Sequence, residues 1–154
     1  FMLVLFPALV EEYNTDRLKF KESFQKAVRI FSIIGGGITA GLWFFSDAII
    51  TFIYGEKFTP SIGVLNILAF AVFLFFVNFL LSNTLITSGR EKMNAWNLVI
   101  ATICNILLNL TLIPEYGAEG AAWATVFCEG GLVVAMILQI KQSNHQLDVS
   151  ERKQ

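Results

Sequence analysis

Glu129 is the only charged residue between Ala121 and Ile140 in an otherwise apolar run. At about 1.5 Å per helical residue it lies roughly 13 Å in, near the middle of that run. A lone carboxylate at such a depth has two uses. It takes up and releases a proton or a sodium ion, or it is a neutral acid satisfied by a neighbouring amide. Amides are plentiful in the adjoining runs. Asn97, Asn105 and Asn109 share one broad side of a helix, and Asn66, Asn78, Ser82 and Asn83 recur in the run before it. Each amide offers donors and an acceptor, so it either hydrogen-bonds hydroxyls of a ligand in a cavity or holds helix to helix. The cavity candidates are Asn78, Asn97, Asn105 and Asn109, with Glu129 as the ion-coupling candidate. Arg90, in "SGREKMN", is a basic group at the mouth, as a topology anchor or a contact for an anionic head group.

Other chemistry has little material. Cys104 and Cys128 lie inside apolar runs without CxxC spacing, and the single histidine, His145, falls in a polar tail. No HExxH, GxSxG or P-loop occurs, so neither a metal, a cofactor nor a catalytic constellation is expected. A net charge of −1 gives no bulk attraction to nucleic acid.

The elements that must hold these residues are membrane helices. The chain is 55% hydrophobic and only 15% charged, where a soluble domain carries roughly 25% charged residues. Four runs reach the roughly 20 apolar residues that a span needs: about 30–53, 62–86, 95–113 and 121–140. Alternation of polar and apolar residues is absent, so a membrane β-barrel is not supported, and the fold class is all-α integral membrane. Residues 1–10, "FMLVLFPALV", read as the end of a truncated transmembrane helix. The chain is therefore expected to be the C-terminal piece of something larger. Residues 11–29 form an amphipathic linker with Phe20, Phe24, Ala27 and Phe31 at helical spacing among lysines. Residues 141–154 are a polar tail.

Basic residues set the expected orientation. Arg17, Lys19, Lys21, Lys26, Arg29, Arg90, Lys92, Lys141, Arg152 and Lys153 fall on one side of a four-span layout, and Lys57 alone on the other. The richer side, with the C-terminus, is expected to be cytoplasmic. Between the last two spans, "IPEYGAEG" reads as a tight outer hairpin in which Pro114 stops a helix and Gly117 supplies a positive φ. Gly37 and Gly41 form a small-xxx-small pair for close helix packing. Ser46 or Asp47 is expected to cap a helix start.

Four stretches, in order, carry a likeness to a known family: "LFPAL", "SDAIITFIYGEKFTPSIGVLNILA", "NTLITSGREKMNAWN" and "NILLNLTLIPEYGAEGAAWAT". The chain resembles the C-terminal third of the polysaccharide flippases of the multidrug/oligosaccharidyl-lipid/polysaccharide exporter superfamily. That resemblance implies the last four helices of a two-lobe transporter of twelve to fourteen spans. It implies alternating-access movement of a polyprenyl-pyrophosphate-linked oligosaccharide across the cytoplasmic membrane, with no enzymatic step. The implied partners are membrane lipid, that lipid-linked substrate and the N-terminal lobe of the same chain. Two other readings stay open, a drug/cation antiporter of the superfamily and a four-helix membrane scaffold starting near Met2. A lipid II flippase is a close relative within the first reading.

Overall fold

The computed structural model describes residue 15 and residues 17–151, with side chains for 15, 19, 20 and 22–142. Among these, the elements are α1 (Arg17–Phe44), α2 (Ser46–Tyr54), a 3-10 turn (Glu56–Phe58), α3 (Ser61–Thr87) and α4 (Glu91–Glu151). Three stretches, Glu22–Phe44, Ser61–Thr87 and Glu91–Gln142, are long and apolar enough to cross a membrane. Helices are what hydrocarbon demands, since each backbone N–H and C=O there needs a partner within its own segment. The third stretch, at 52 residues, would be about 78 Å long if straight, against a hydrocarbon core of about 30 Å. It is not straight. Gly117 takes φ 57°, ψ −134°, and the helix doubles back into a first arm (91–116) and a second arm (118–151).

Packing fixes the directions. Thr39 Oγ1 donates to the Ala69 carbonyl at 2.9 Å, while the Phe31 ring meets Phe76 and Phe79 at 6.1 and 6.0 Å. Earlier residues of α1 thus meet later residues of α3, and the two are antiparallel. The second arm runs parallel to α3, with Leu132 and Met136 against Leu81 and Leu85 in the buried core. These directions bring the start of α1, the α3–α4 turn and the far end of the second arm together. Lys26, Arg29, Arg90, Lys92 and Lys141 consequently share one end of the bundle, and Lys57 lies at the other. Phe44, Phe52 and Ile33 point outward, as an apolar surface in hydrocarbon can.

The structure redraws several sequence expectations. The run 30–53 is not one span, because α1 ends at Phe44 and α2 restarts at Ser46. A helix does begin at Ser46, yet neither Ser46 nor Asp47 caps it. The Ser46 hydroxyl instead donates backward to the Trp43 carbonyl at 3.1 Å, closing the end of α1. Pro114 does not end its helix either. Its missing N–H costs one bond, but the turn continues to Gly117, where only the positive φ reverses the chain. The amphipathic segment 11–29 has no boundary at its far end, since α1 runs unbroken from Arg17 to Phe44. Residues 1–14, including the truncated helix, lie outside the described residues. In the tail, α4 continues to Glu151.

The close-packing glycine in α1 is Gly35, not the Gly37–Gly41 pair. A Cβ on Gly35 would stand 3.0 Å from Phe76 Cβ, whereas Gly37 and Gly41 face open space. The helix turns the face of Gly35 and Thr39 toward α3, and that phase leaves Gly37 outside. Gly35→Val should therefore cost about 1–3 kcal/mol by overpacking, and Gly37→Val close to nothing. Thermal unfolding of the two variants in detergent distinguishes them.

Candidate functional site

Glu129 and Asn78 meet across the seam between α3 and the second arm. Asn78 Nδ2 donates to the Glu129 backbone carbonyl at 2.9 Å and to Glu129 Oε2 at 2.6 Å. Both residues lie mid-helix, so neither can swing into water at a helix end. The backbone carbonyl fixes which way the amide points, because only Nδ2 can serve two acceptors. Asn78 is 6% exposed, and its Oδ1 is buried with no partner. α3 contains no ionisable residue, and the second arm carries no charge between Glu119 and Lys141 other than Glu129. Cys128 beside it is its titratable neighbour, and Cys104 on the first arm in turn interacts with Cys128.

A second polar junction lies at the basic end of the bundle. Asn97 and Gln139 exchange hydrogen bonds, Nδ2 to Oε1 at 2.7 Å and Nε2 to Oδ1 at 2.9 Å. Arg90 reaches the Gln139 carbonyl at 3.4 Å. Ser82 donates to Asn94 Oδ1 at 2.8 Å, tying α3 to the first arm. Asn97 is buried, and its amide joins the two arms. Gln139, Asn94 and the role of Ser82 were not singled out in the sequence. The hairpin itself would have pointed to Gln139. Folding at Gly117 places residues about twenty before and twenty after it side by side.

Asn109 bonds along its own helix, while the Asn105 side chain also meets the Cys128 thiol on the second arm. Asn109 Nδ2 donates to the Asn105 carbonyl and Oδ1, both at 2.9 Å. Its Oδ1 is buried without a partner, and the residue borders a hollow of about 320 Å³ with Ile106 and Pro114. A larger groove of about 490 Å³ runs between the arms from Asn97 and Gln139 to Leu108, and both cysteines line it. Of the named candidates, Asn78 with Glu129 and Asn97 with Arg90's partner Gln139 form interhelical contacts. Asn105 and Asn109 do not join the Asn78–Glu129 pair.

The amide exchange at Asn97 has a measurable weight. Asn97→Leu strands the Gln139 amide and should cost about 0.6 kcal/mol, with about 1.7 as the upper end for such pairs. The double variant Asn97→Leu, Gln139→Leu should cost less than the two single changes added, because no amide is then left unpaired. Additive unfolding energies would contradict the pairing.

Comparison with known proteins places this arrangement. The chain is 29% identical over 146 residues to an uncharacterised membrane protein of Methanocaldococcus jannaschii, covering 94% of this chain and 28% of that protein. It is 26% identical over 120 residues to the capsular polysaccharide biosynthesis protein CapF of Staphylococcus aureus, 77% of this chain and 30% of the relative. It is 35% identical over 85 residues to the probable low-salt glycan biosynthesis flippase Agl15 of Haloferax volcanii, 55% and 18% of the respective lengths. The chain thus spans less than a third of each of these curated relatives. No solved structure matches. The resemblance to the polysaccharide flippases is borne out by these relatives and by a family model that covers residues 1–151. On that match, this multi-helix membrane chain belongs to the lipid II flippase MurJ family.

Proposed function

We propose that the full-length protein moves a polyprenyl-pyrophosphate-linked oligosaccharide across the cytoplasmic membrane by alternating access, for polysaccharide biosynthesis or export. The observation that carries this reading is the family match over residues 1–151. It is supported by relatives named for capsular polysaccharide biosynthesis and for glycan flipping. The step is transport, with no bond made or broken.

Within that reading, the basic end of the bundle faces the cytoplasm, following the bias of basic residues toward that side. Arg90 anchors that end. Asn105 and Asn109, neither of them tied to the Asn78–Glu129 pair, are the amides offered to substrate hydroxyls. Asn97 serves mainly to join the arms, and Glu129 is the ion-coupling carboxyl. No Lys or Arg occurs between Lys92 and Lys141, so contacts to a pyrophosphate fall to the N-terminal lobe or the start of the C-terminal lobe of the full-length protein.

The test is genetic. Cells lacking the full-length protein should accumulate lipid-linked oligosaccharide on the inner leaflet and lose surface polysaccharide, and the restored gene should reverse both. Unchanged surface polysaccharide and no accumulation would refute the proposal. Asn105→Leu in the restored gene should reduce export at normal protein level. Reduced protein level instead would mark Asn105 as a packing residue.

A further inference from the structure

Asn78 holds a contradiction that an ionised Glu129 cannot resolve. Its Nδ2 is committed to the Glu129 backbone carbonyl and Oε2. Its Oδ1, on the same planar amide, is buried and unpartnered in a residue only 6% exposed. A buried acceptor without a donor costs about 1–3 kcal/mol. A carboxylate offers only acceptors, so an ionised Glu129 has no donor to give that oxygen.

A neutral carboxyl removes the conflict. It presents one acceptor and one O–H donor, the same pair of complementary groups that a primary amide presents. Oε2 already accepts from Nδ2, and an O–H on the other oxygen supplies what Oδ1 lacks. The two planar groups then close a ring of one N–H···O and one O–H···O bond. We propose that Glu129 is carried protonated in this conformation, locked in such an acid–amide ring with Asn78, and that the ring opens when the proton leaves.

The surroundings fit a neutral acid. α3 contributes no ionisable side chain, and α1 contributes none after Arg29. The first arm contributes Cys104 and the second arm Cys128, both free thiols. Glu119 and Lys141 lie ten and twelve residues away along the second arm, roughly 15 and 18 Å of helix. Among the described residues no cation is placed to neutralise a carboxylate, and an unpaired charge at membrane depth costs several kcal/mol. When the seam opens to water, the carboxyl gives its proton to a water molecule. The carboxylate left behind and the freed Asn78 Oδ1 are then both hydrated.

This inference rests on the coupling role proposed for Glu129 and makes the coupled ion a proton. A sodium ion would need the carboxylate form. The experiment is infrared difference spectroscopy on the full-length protein in lipid, comparing wild type with Glu129→Gln at neutral pH. Wild type should show the carbonyl stretch of a protonated carboxylic acid, and Glu129→Gln should lack it. Asn78→Leu should shift that band toward the position of a weakly bonded acid. If Asn78→Leu does not fold, the presence of the band in wild type and its absence in Glu129→Gln still decide. Absence of a protonated-acid band that depends on Glu129 overturns the ring. The band is read without substrate, so its loss leaves the flippase reading standing, and a failure of flipping with the band intact refutes only that reading.

Discussion

Gly120→Val is expected to prevent the two arms of α4 from closing. A Cβ on Gly120 would collide with the Leu112 carbonyl oxygen and stand 2.7 Å from its carbonyl carbon. The obstacle is backbone, inside a helix, and it cannot turn aside as a side-chain tip can. Relief requires the arms to part at the turn, and parting strips contact from the groove down to the Asn97–Gln139 exchange. In hydrocarbon no hydrophobic force compensates, since association there depends on close packing. The expected loss is about 3 kcal/mol, the upper part of the overpacking range. Gly131, with nothing within 4 Å of its virtual Cβ, serves as the control. Gly131→Val should unfold near the wild-type temperature, and Gly120→Val well below it or arrive as aggregate. Wild-type unfolding of Gly120→Val would mean that the arms are not packed as described.

The second large effect is on transport. Glu129→Gln should leave the folded level unchanged, because a glutamine can exchange both hydrogen bonds with Asn78. It cannot release a proton. Coupling energies of about 1–3 kcal/mol correspond to about 5- to 150-fold, and transport by the full-length variant should fall by an amount in that range. Transport at the wild-type rate would remove Glu129 from the mechanism. A fall in protein level matching the fall in transport would make it a packing residue instead.

Helix identity was legible from the residues because long uncharged runs leave no other solution in lipid. The breaks were legible only in part. Gly117 announces a positive φ, but Pro114 drew attention to the wrong residue, since a proline lacks one bond yet tolerates a helix around it. The break at Phe45 has no such marker. It comes from a backbone at φ −104°, ψ 10° that any residue can adopt. Among the glycines, composition identified the cluster but not its phase, and one helical step decides whether Gly35 or Gly37 meets α3.

The polar residues show the same division. Glu129 stands out in the sequence because a single charge in twenty apolar residues is costly. Its partner does not. Asn78 is one of several amides, and it lies 51 positions away on a different helix. Only the parallel register of α3 and the second arm joins them. Gln139, near the end of its run, reads as a boundary residue until the hairpin brings it to Asn97.

The central claim, that the full-length protein flips a lipid-linked glycan, is tested most directly in vesicles. The purified full-length protein would be reconstituted with a fluorescent polyprenyl-pyrophosphate oligosaccharide in both leaflets, and a membrane-impermeant reagent added outside to quench the outer leaflet. The account predicts that quenching proceeds beyond the outer-leaflet fraction toward completion, and that Glu129→Gln vesicles pass that fraction about 5- to 150-fold more slowly. Quenching that halts at the outer-leaflet fraction in wild-type vesicles, as in protein-free ones, would contradict it.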